Sequence, residues 1–177
     1  MSHATQAAPA APWSRKQSKI EVPNSAVVVD AQGKLCGVYR KTHLIGPTEA
    51  SLFRAGDGLC VAEAAGLRLG IVICYDIEFP EVARALVRAG AQMICIPTAN
   101  MEPFREAPTT LLRARALENG VSFIYANHCG RETDVTYMFY TALSDIIRAD
   151  GTDFARADAG SDMLLVADLP GLLLATE

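Results

Sequence analysis

The hydrophobic pattern is clearest in the middle of the chain. Leu67 to Cys74 is an almost unbroken apolar run, the pattern of a strand covered on both faces, and it ends in acidic and polar residues. From Pro80 to Ala89 the spacing becomes helical, with Val82, Leu86 and Val87 on one stripe, Pro80 in the first turn and Gly90 as a stop. Gln92 to Ile96 reads as a second buried strand ended by Pro97. A Leu/Ala/Arg-rich helix follows from about Ala107 or Pro108 to Asn119, stopped by Gly120, and Val121 to Ala126 is a third strand. Strand, helix, strand is the βαβ unit of a parallel sheet. In such sheets ligands collect beyond the carboxyl ends of the strands, so Cys74 and the stretch Thr98-Ala99-Asn100 should face one pocket.

Upstream, the pattern has period two. Ala26 to Val29 and Leu35 to Tyr39 flank the turn Asp30-Ala31-Gln32-Gly33, and Leu59 to Glu63 and Leu67 to Cys74 flank Ala65-Gly66, which predicts two hairpins. Between them, Thr42 to Gly58 reads as a long loop with one helical turn around Glu49 to Phe53. Downstream, Asn127 to Thr133 is turn-like, and Tyr137 to Ile147 reads as one longer strand region. Ala149 to Thr152 is a turn, and Met163 to Leu169 is the last predicted strand. Residues 1–21 are Ala/Pro-rich, basic and without apolar periodicity, and are read as a disordered tail ahead of one domain over 22–177.

Composition narrows the function classes. A 177-residue chain with 50% hydrophobic and 20% charged residues can bury one substantial core, and no apolar run is long enough for a membrane span. The net charge of -4, with no basic stripe, argues against nucleic acid as a partner. Five scattered cysteines and three distant histidines give no zinc or redox spacing, so no metal is expected and a reducing, cytoplasmic setting fits. A thiol between a buried strand and a helix start is a place where an α/β protein can hold a nucleophile, since helix-terminal N–H groups favour negative charge there.

Several short motifs occur in order. They are the hairpin Val27-Val28-Val29-Asp30 through Gly33 to Tyr39, then Tyr39-Arg40-Lys41 with His43-Leu44, then Phe53 with Gly56-Asp57. Ile73-Cys74-Tyr75-Asp76 with Phe79-Pro80-Glu81 follows, then Gly90-Ala91, Pro97-Thr98-Ala99-Asn100, and Arg113-Ala114-Arg115-Ala116 with Glu118-Asn119. Together they resemble the carbon–nitrogen hydrolase (nitrilase and amidase) superfamily over about residues 24 to 169.

That resemblance implies a four-layer α-β-β-α sandwich acting on small amides or nitriles, amides preferred, without metal or organic cofactor. Cys74 would attack the carbonyl to form a thioester. Lys41 would lower the thiol pKa and stabilise the oxyanion together with the backbone N–H of Tyr75. Glu49 follows Lys41 at family spacing and would orient it or the substrate, and Asn100 would line the pocket with Thr98. Asp76 and Glu81 would fix the strand–helix junction, Glu118 and Asn119 would join Arg113 and Arg115 in a helix-end network, and His43 has no implied role. Cys36, Cys60, Cys95 and Cys129 are expected as core fillers.

The family's further glutamate, a general base on a Pro-Glu strand end upstream of the lysine, has no match here, because Glu21 lacks that context. The early strands and helix, and a carboxyl-terminal extension used in subunit packing, are likewise unmatched. The expectation is an incomplete sandwich with an uncovered face, a homo-oligomer or an associate of a complete family member. The competing reading is a catalytically impaired remnant serving as a structural or regulatory subunit. A weaker third reading gives Cys74 a thiol-redox role.

Overall fold

The computed structural model describes residues 22–132, 138–160 and 162–168. The tail assigned to 1–21 lies outside the described residues, as do Tyr137 and Leu169 at the ends of two predicted strands.

The first described elements are β1 (Val22–Pro23), β2 (Ser25–Val29) and β3 (Leu35–Arg40), and β2 and β3 form the expected antiparallel hairpin. Asp30 closes its turn by accepting the N–H groups of Gln32 and Lys34 at 3.0 and 2.8 Å. The loop that follows holds a longer helix than the pattern predicts, α1 (Gly46–Leu52), with proline in its first turn. It runs into β4 (Phe53–Arg54), which pairs parallel with β1.

The centre of the fold is a six-stranded sheet with spatial order β12-β11-β8-β7-β6-β5, in which β11 is Asp145–Ile147 and β12 Asp153–Arg156. Here β5 is Cys60–Ala64, β6 Leu67–Ile71, β7 Met93–Thr98 and β8 Ser122–Asn127. The β5–β6 hairpin is antiparallel, whereas β6–β7 and β7–β8 are parallel. The parallel pairs are crossed by α2 (Pro80–Arg88) and α3 (Leu112–Asn119), the latter preceded by a π-helical turn over Ala107–Leu111. Gly120 ends α3 in the left-handed region at φ 66°, which a side chain would resist.

Apolar periodicity accounts for this layering. Val82, Ala83 and Leu86 of α2 and Leu112 and Ala116 of α3 are buried in one core with Val72, Ile94, Ile96, Phe123 and Tyr125. Truncating a fully buried residue such as Leu86 to alanine costs about 2 to 5 kcal/mol. On the other face of the same strands Cys95 and Ile124 are half-buried, and Pro97 and Ala126 are exposed. The β2–β3 hairpin lies against β5, where a Cβ at Gly37 would sit 2.7 Å from that of Ala62.

The carboxyl-terminal part departs from expectation. The single strand predicted over Tyr137 to Ile147 is broken into β10 (Met138–Phe139), paired with β9 (Arg131–Glu132), and β11 (Asp145–Ile147) in the main sheet. Ala142 and Leu143 break it, both in the left-handed region at φ 53° and 58°. An unpredicted strand, β12 (Asp153–Arg156), adds the sheet edge against β11. The predicted strand at Met163 to Leu169 is not one over its described part. Residues 162–168 pair with no strand among the described residues, and Leu164 and Val166 are exposed.

Candidate active site beyond the central strands

β6 ends at Ile71, three residues short of the prediction, and Val72 and Ile73 continue in extended form. Cys74 then turns sharply. Its φ of 50° is a left-handed conformation that costs a non-glycine residue energy, and it opens a five-residue 3-10 helix, Cys74–Glu78, leading into α2. The thiol thus stands on an elbow that the surrounding structure holds against its own backbone preference.

The elbow is held by Asp76, which is wholly buried. Its Oδ2 accepts the N–H of Ile73 at 3.1 Å, and its Oδ1 accepts the hydroxyl of Thr42 at 3.0 Å and the N–H of His43 at 2.9 Å. His43 Nδ1 lies 2.9 Å from the same oxygen, and the imidazole stacks on Phe79 at 4.1 Å. Tyr39 completes the network at 3.0 Å from the Thr42 hydroxyl. Burial drives the phenol of Tyr39 well above its ordinary range, so it stays neutral. Asp76 therefore does the junction work expected of it, and His43 is bound to that carboxylate.

Asp76 also brings in the segment that carries Lys41. Lys41 is only 3% exposed, and its Nζ contacts both oxygens of Glu49 at 2.8 Å. Glu49 is fixed in turn by the N–H of Ile45 at 2.6 Å and Asn24 Nδ2 at 3.2 Å. The Lys41 backbone is clamped on both sides, its N–H on the Asn24 carbonyl and its carbonyl on the N–H of Gly56, each at 2.8 Å. A buried ammonium with a bidentate carboxylate is held in one place.

At Cys74 the electrostatic influences oppose one another. Burial pushes the thiol above its ordinary value, while N–H groups of Ala99 and Tyr75 and the charge of Lys41 pull it down. The N–H of Ala99 reaching this thiol brings the ends of β6 and β7 together, as the strand order requires. Tyr75 follows directly, edge-on to Phe79 at 5.1 Å.

Asn100 is buried. Its Nδ2 donates to the Phe104 carbonyl at 2.6 Å and lies 3.4 Å from the Thr141 hydroxyl, so its amide ties the loop after β7 to the residues before β11. Asn127, beside it, holds the Asn100 N–H at 2.8 Å. The structure thus places Cys74, Lys41, Glu49 and Tyr75 around one point and gives the Asn100 amide nitrogen an anchoring contact at its border. The groove lined by Glu102, Arg105, Arg131 and Tyr140 contains none of these residues.

Two residues not singled out from the sequence belong to this neighbourhood. Glu78 ends the 3-10 helix that Cys74 begins, and its charge bears on Cys74 while that of Lys41 bears on it. Tyr125 is 2% exposed, its hydroxyl, beside Thr98 and Asn100, has no partner in hydrogen-bond geometry among the described residues, and it feels the charges of Cys74 and Glu78. In the sequence Glu78 reads only as an acid near a helix start, and Tyr125 only as a core aromatic.

All five cysteines are free. Cys60 and Cys95 pack against the core, and burial raises the Cys95 thiol to about 11. Cys129 is not a core filler. Its Sγ bonds Asp162 Oδ1 at 2.7 Å near the surface, and Cys36 likewise lies on the hairpin with its Sγ toward the Lys34 carbonyl. Among the described residues no group of three or more His, Cys, Asp or Glu side chains is placed to hold a metal ion, and no helix is long and apolar enough to cross a membrane.

The family model for carbon-nitrogen hydrolases matches residues 5–175. A hydrolase of Pseudomonas protegens, described as "Hydrolase in pqqF 5'region", is 44% identical over 82% of this chain and 50% of its own length. Among solved structures, the NitN amidase of Nesterenkonia sp. AN1 superposes with a TM-score of 0.78 at 36% identity, over 83% of this chain and 56% of that one. A variant of the amidase from the same organism, in which acrylamide has added to the active-site cysteine, has a TM-score of 0.73 at 34% identity over 77% and 53%. The chain spans about half the length of the relatives it matches, and its α/β architecture is that of the nitrilase-type sandwich over that span. By sequence and by fold, the chain belongs to the carbon-nitrogen hydrolase family.

Proposed function

We propose that this protein hydrolyses small amides, in preference to nitriles, through a thioester on Cys74, and releases ammonia. The observation that carries the reading is the elbow itself: a thiol at φ 50° between a buried strand and a helix, with the buried Lys41–Glu49 pair beside it. In the first step the Cys74 sulfur bonds to the amide carbon. The developing oxyanion is stabilised by Lys41 Nζ and the Tyr75 N–H, the carbon–nitrogen bond breaks, and the thiol proton leaves with the nitrogen as ammonia. Water then attacks the thioester, giving the carboxylic acid and restoring the thiol. Glu49 keeps Lys41 aimed, and Asn100 borders the acyl pocket with Thr98. No metal or organic cofactor takes part in these steps.

Ammonia release from propionamide and butyramide tests the reading. Activity that vanishes in Cys74→Ala supports it, and release that persists unchanged in that variant refutes it.

A second reading is favoured by the outer face of the β2–β3 hairpin, where Val27, Val29, Leu35 and Val38 are all exposed. In that reading this face packs on a second copy or on a complete family member, and the chain serves as a subunit. Sedimentation at increasing concentration would show association, which Val27→Lys together with Val38→Lys should abolish. A monomer at all concentrations that captures no full-length relative counts against it.

A further inference from the structure

Cys74 and Glu78 are the first and last residues of one five-residue 3-10 helix, which separates them by about 8 Å along its axis. That helix packs against the π-helical turn at Ala107–Leu111, which Glu106 precedes, and against β7 and α3. Glu78 is half-buried, and its carboxylate has no hydrogen bond or ion pair among the described residues. Arg115, the nearby cation, donates to the Glu78 backbone carbonyl at 3.0 Å and directs its charge to Glu118 at 3.3 Å. Lys41 reaches Glu78 only at a distance, its ammonium being held by Glu49.

A half-buried carboxylate without a counter-charge is costly to keep. Burial and the charge of Glu106 push the Glu78 carboxyl up, and the distant charge of Lys41 offsets them only in part. The Tyr125 hydroxyl is a second, independent sign. It is wholly buried within reach of the charges on Cys74 and Glu78, and Thr98 and Asn100 lie close enough to ease its shift, but no group among the described residues meets it in hydrogen-bond geometry. A buried hydroxyl without a partner is costly to keep, so a ligand that satisfies it is favoured. An ammonium supplies both missing terms, a positive charge for Glu78 and an N–H for the phenol oxygen of Tyr125.

We propose that Glu78 and the Tyr125 hydroxyl form an ammonium-binding subsite next to Cys74, so that the preferred amides carry an amine a few bonds from the reacting carbonyl. This deepens the proposed amide hydrolysis and rests on it for the word substrate, but the subsite can be tested without turnover. Glu106 adds negative potential from the neighbouring turn.

The test is the charge preference of Cys74 labelling. The full chain is treated at one pH with cationic 2-aminoethyl, neutral methyl and anionic 2-sulfonatoethyl methanethiosulfonate, and peptide mass spectrometry follows modification at Cys74. The expected result is about a tenfold faster reaction with the cationic than with the neutral reagent, the ratio that ~1.4 kcal/mol of charge pairing gives. In Glu78→Gln the ratio should fall toward one. In Tyr125→Phe it should fall about two- to threefold, and in Glu132→Gln, on the remote β9, it should not change. Cys74 that reacts with the neutral reagent but shows no cationic preference, or a preference unaltered in Glu78→Gln, overturns the subsite and leaves the nucleophile standing. Cys74 inert to all three reagents overturns both. If turnover is found, 3-aminopropanamide should be hydrolysed about tenfold faster than butyramide at low concentration, and equal rates count against the subsite.

Discussion

Two clusters of charged groups lie at different places along the central sheet, and they are built differently. At the β11–β12 edge, Arg113 donates to Asp145 at 2.8 Å and pairs with Asp153, and Arg156 stands 3.6 Å from Asp153 and 3.9 Å from Asp145. Both arginines also reach the Pro108 carbonyl, so the cluster binds the start of the α3 region to two strands. Each charged group in it has an opposite charge within the cluster, although one buried oxygen of Asp145 lacks a hydrogen bond among the described residues. At the ends of β6 and β7, Glu49 covers Lys41, but the charge of Lys41 still acts on Cys74, and Glu78 and Tyr125 remain unpartnered. A cluster that answers its own charges fastens elements together. One that leaves charges open toward a thiol is arranged to receive another molecule.

Breaking the second cluster should have the largest effect on reactivity. Lys41→Met removes the cation that opposes burial at Cys74 and the donor assigned to the oxyanion. Removing one such donor typically costs about 10² to 10³ in rate. Alkylation of Cys74 by iodoacetamide at fixed pH should slow as well, because the thiol moves further up. Wild-type alkylation should itself still be rising above pH 9, since burial holds the folded thiol above its ordinary value. A wild-type profile that levels off near neutral pH would show that the cation and the N–H groups overcome burial. Lys41→Met should also lower unfolding stability by about 2 to 4 kcal/mol, as Glu49 is left half-buried without its partner.

The matching break at the sheet edge separates stability from reactivity. Arg113→Met strands Asp145, which is wholly buried and already has one oxygen without a partner. Unfolding in urea should show a loss of about 3 kcal/mol, while the charge preference and alkylation rate of folded Cys74 stay as in the wild type. Coupled losses in both measurements would erase the distinction between the two clusters.

How much of this was legible depends on how local each cause is. The run from β6 through α2, β7 and α3 to β8 follows from apolar periodicity and glycine stops, and it appears nearly where predicted. Cys74, Lys41, Glu49 and Tyr75 could be named because motif residues mark them, and the structure gathers them. The apolar run at Met163 is not a strand over its described part because an apolar pattern does not itself supply a pairing partner, and the segment that pairs with β11 is Asp153–Arg156, whose mixed composition carries no signal. The break at Ala142 and Leu143 is a backbone conformation that neither residue advertises. Glu78 and Tyr125 stayed hidden because an unpaired group is defined by what fails to surround it in three dimensions.

The smallest predicted effect concerns the pH dependence of the sheet-edge cluster. Burial, reinforced by the charge of Asp153, raises the Asp145 carboxyl from 3.8 to about 6 despite both arginines. The folded state then holds this proton more tightly than the unfolded chain, so the group's contribution to stability is fully present below about pH 4 and is lost as pH rises through about 6. Asp153→Asn removes one of the charges that raise Asp145 and should flatten this part of the profile, even though it also costs Arg113 and Arg156 a partner. Urea unfolding from pH 4 to 7 on wild type and Asp153→Asn reads the difference directly. A wild-type stability that rises through this window, with the variant parallel to it, would mean that the arginines overcome burial at Asp145 and that the cluster is bound as strongly by charge as by packing.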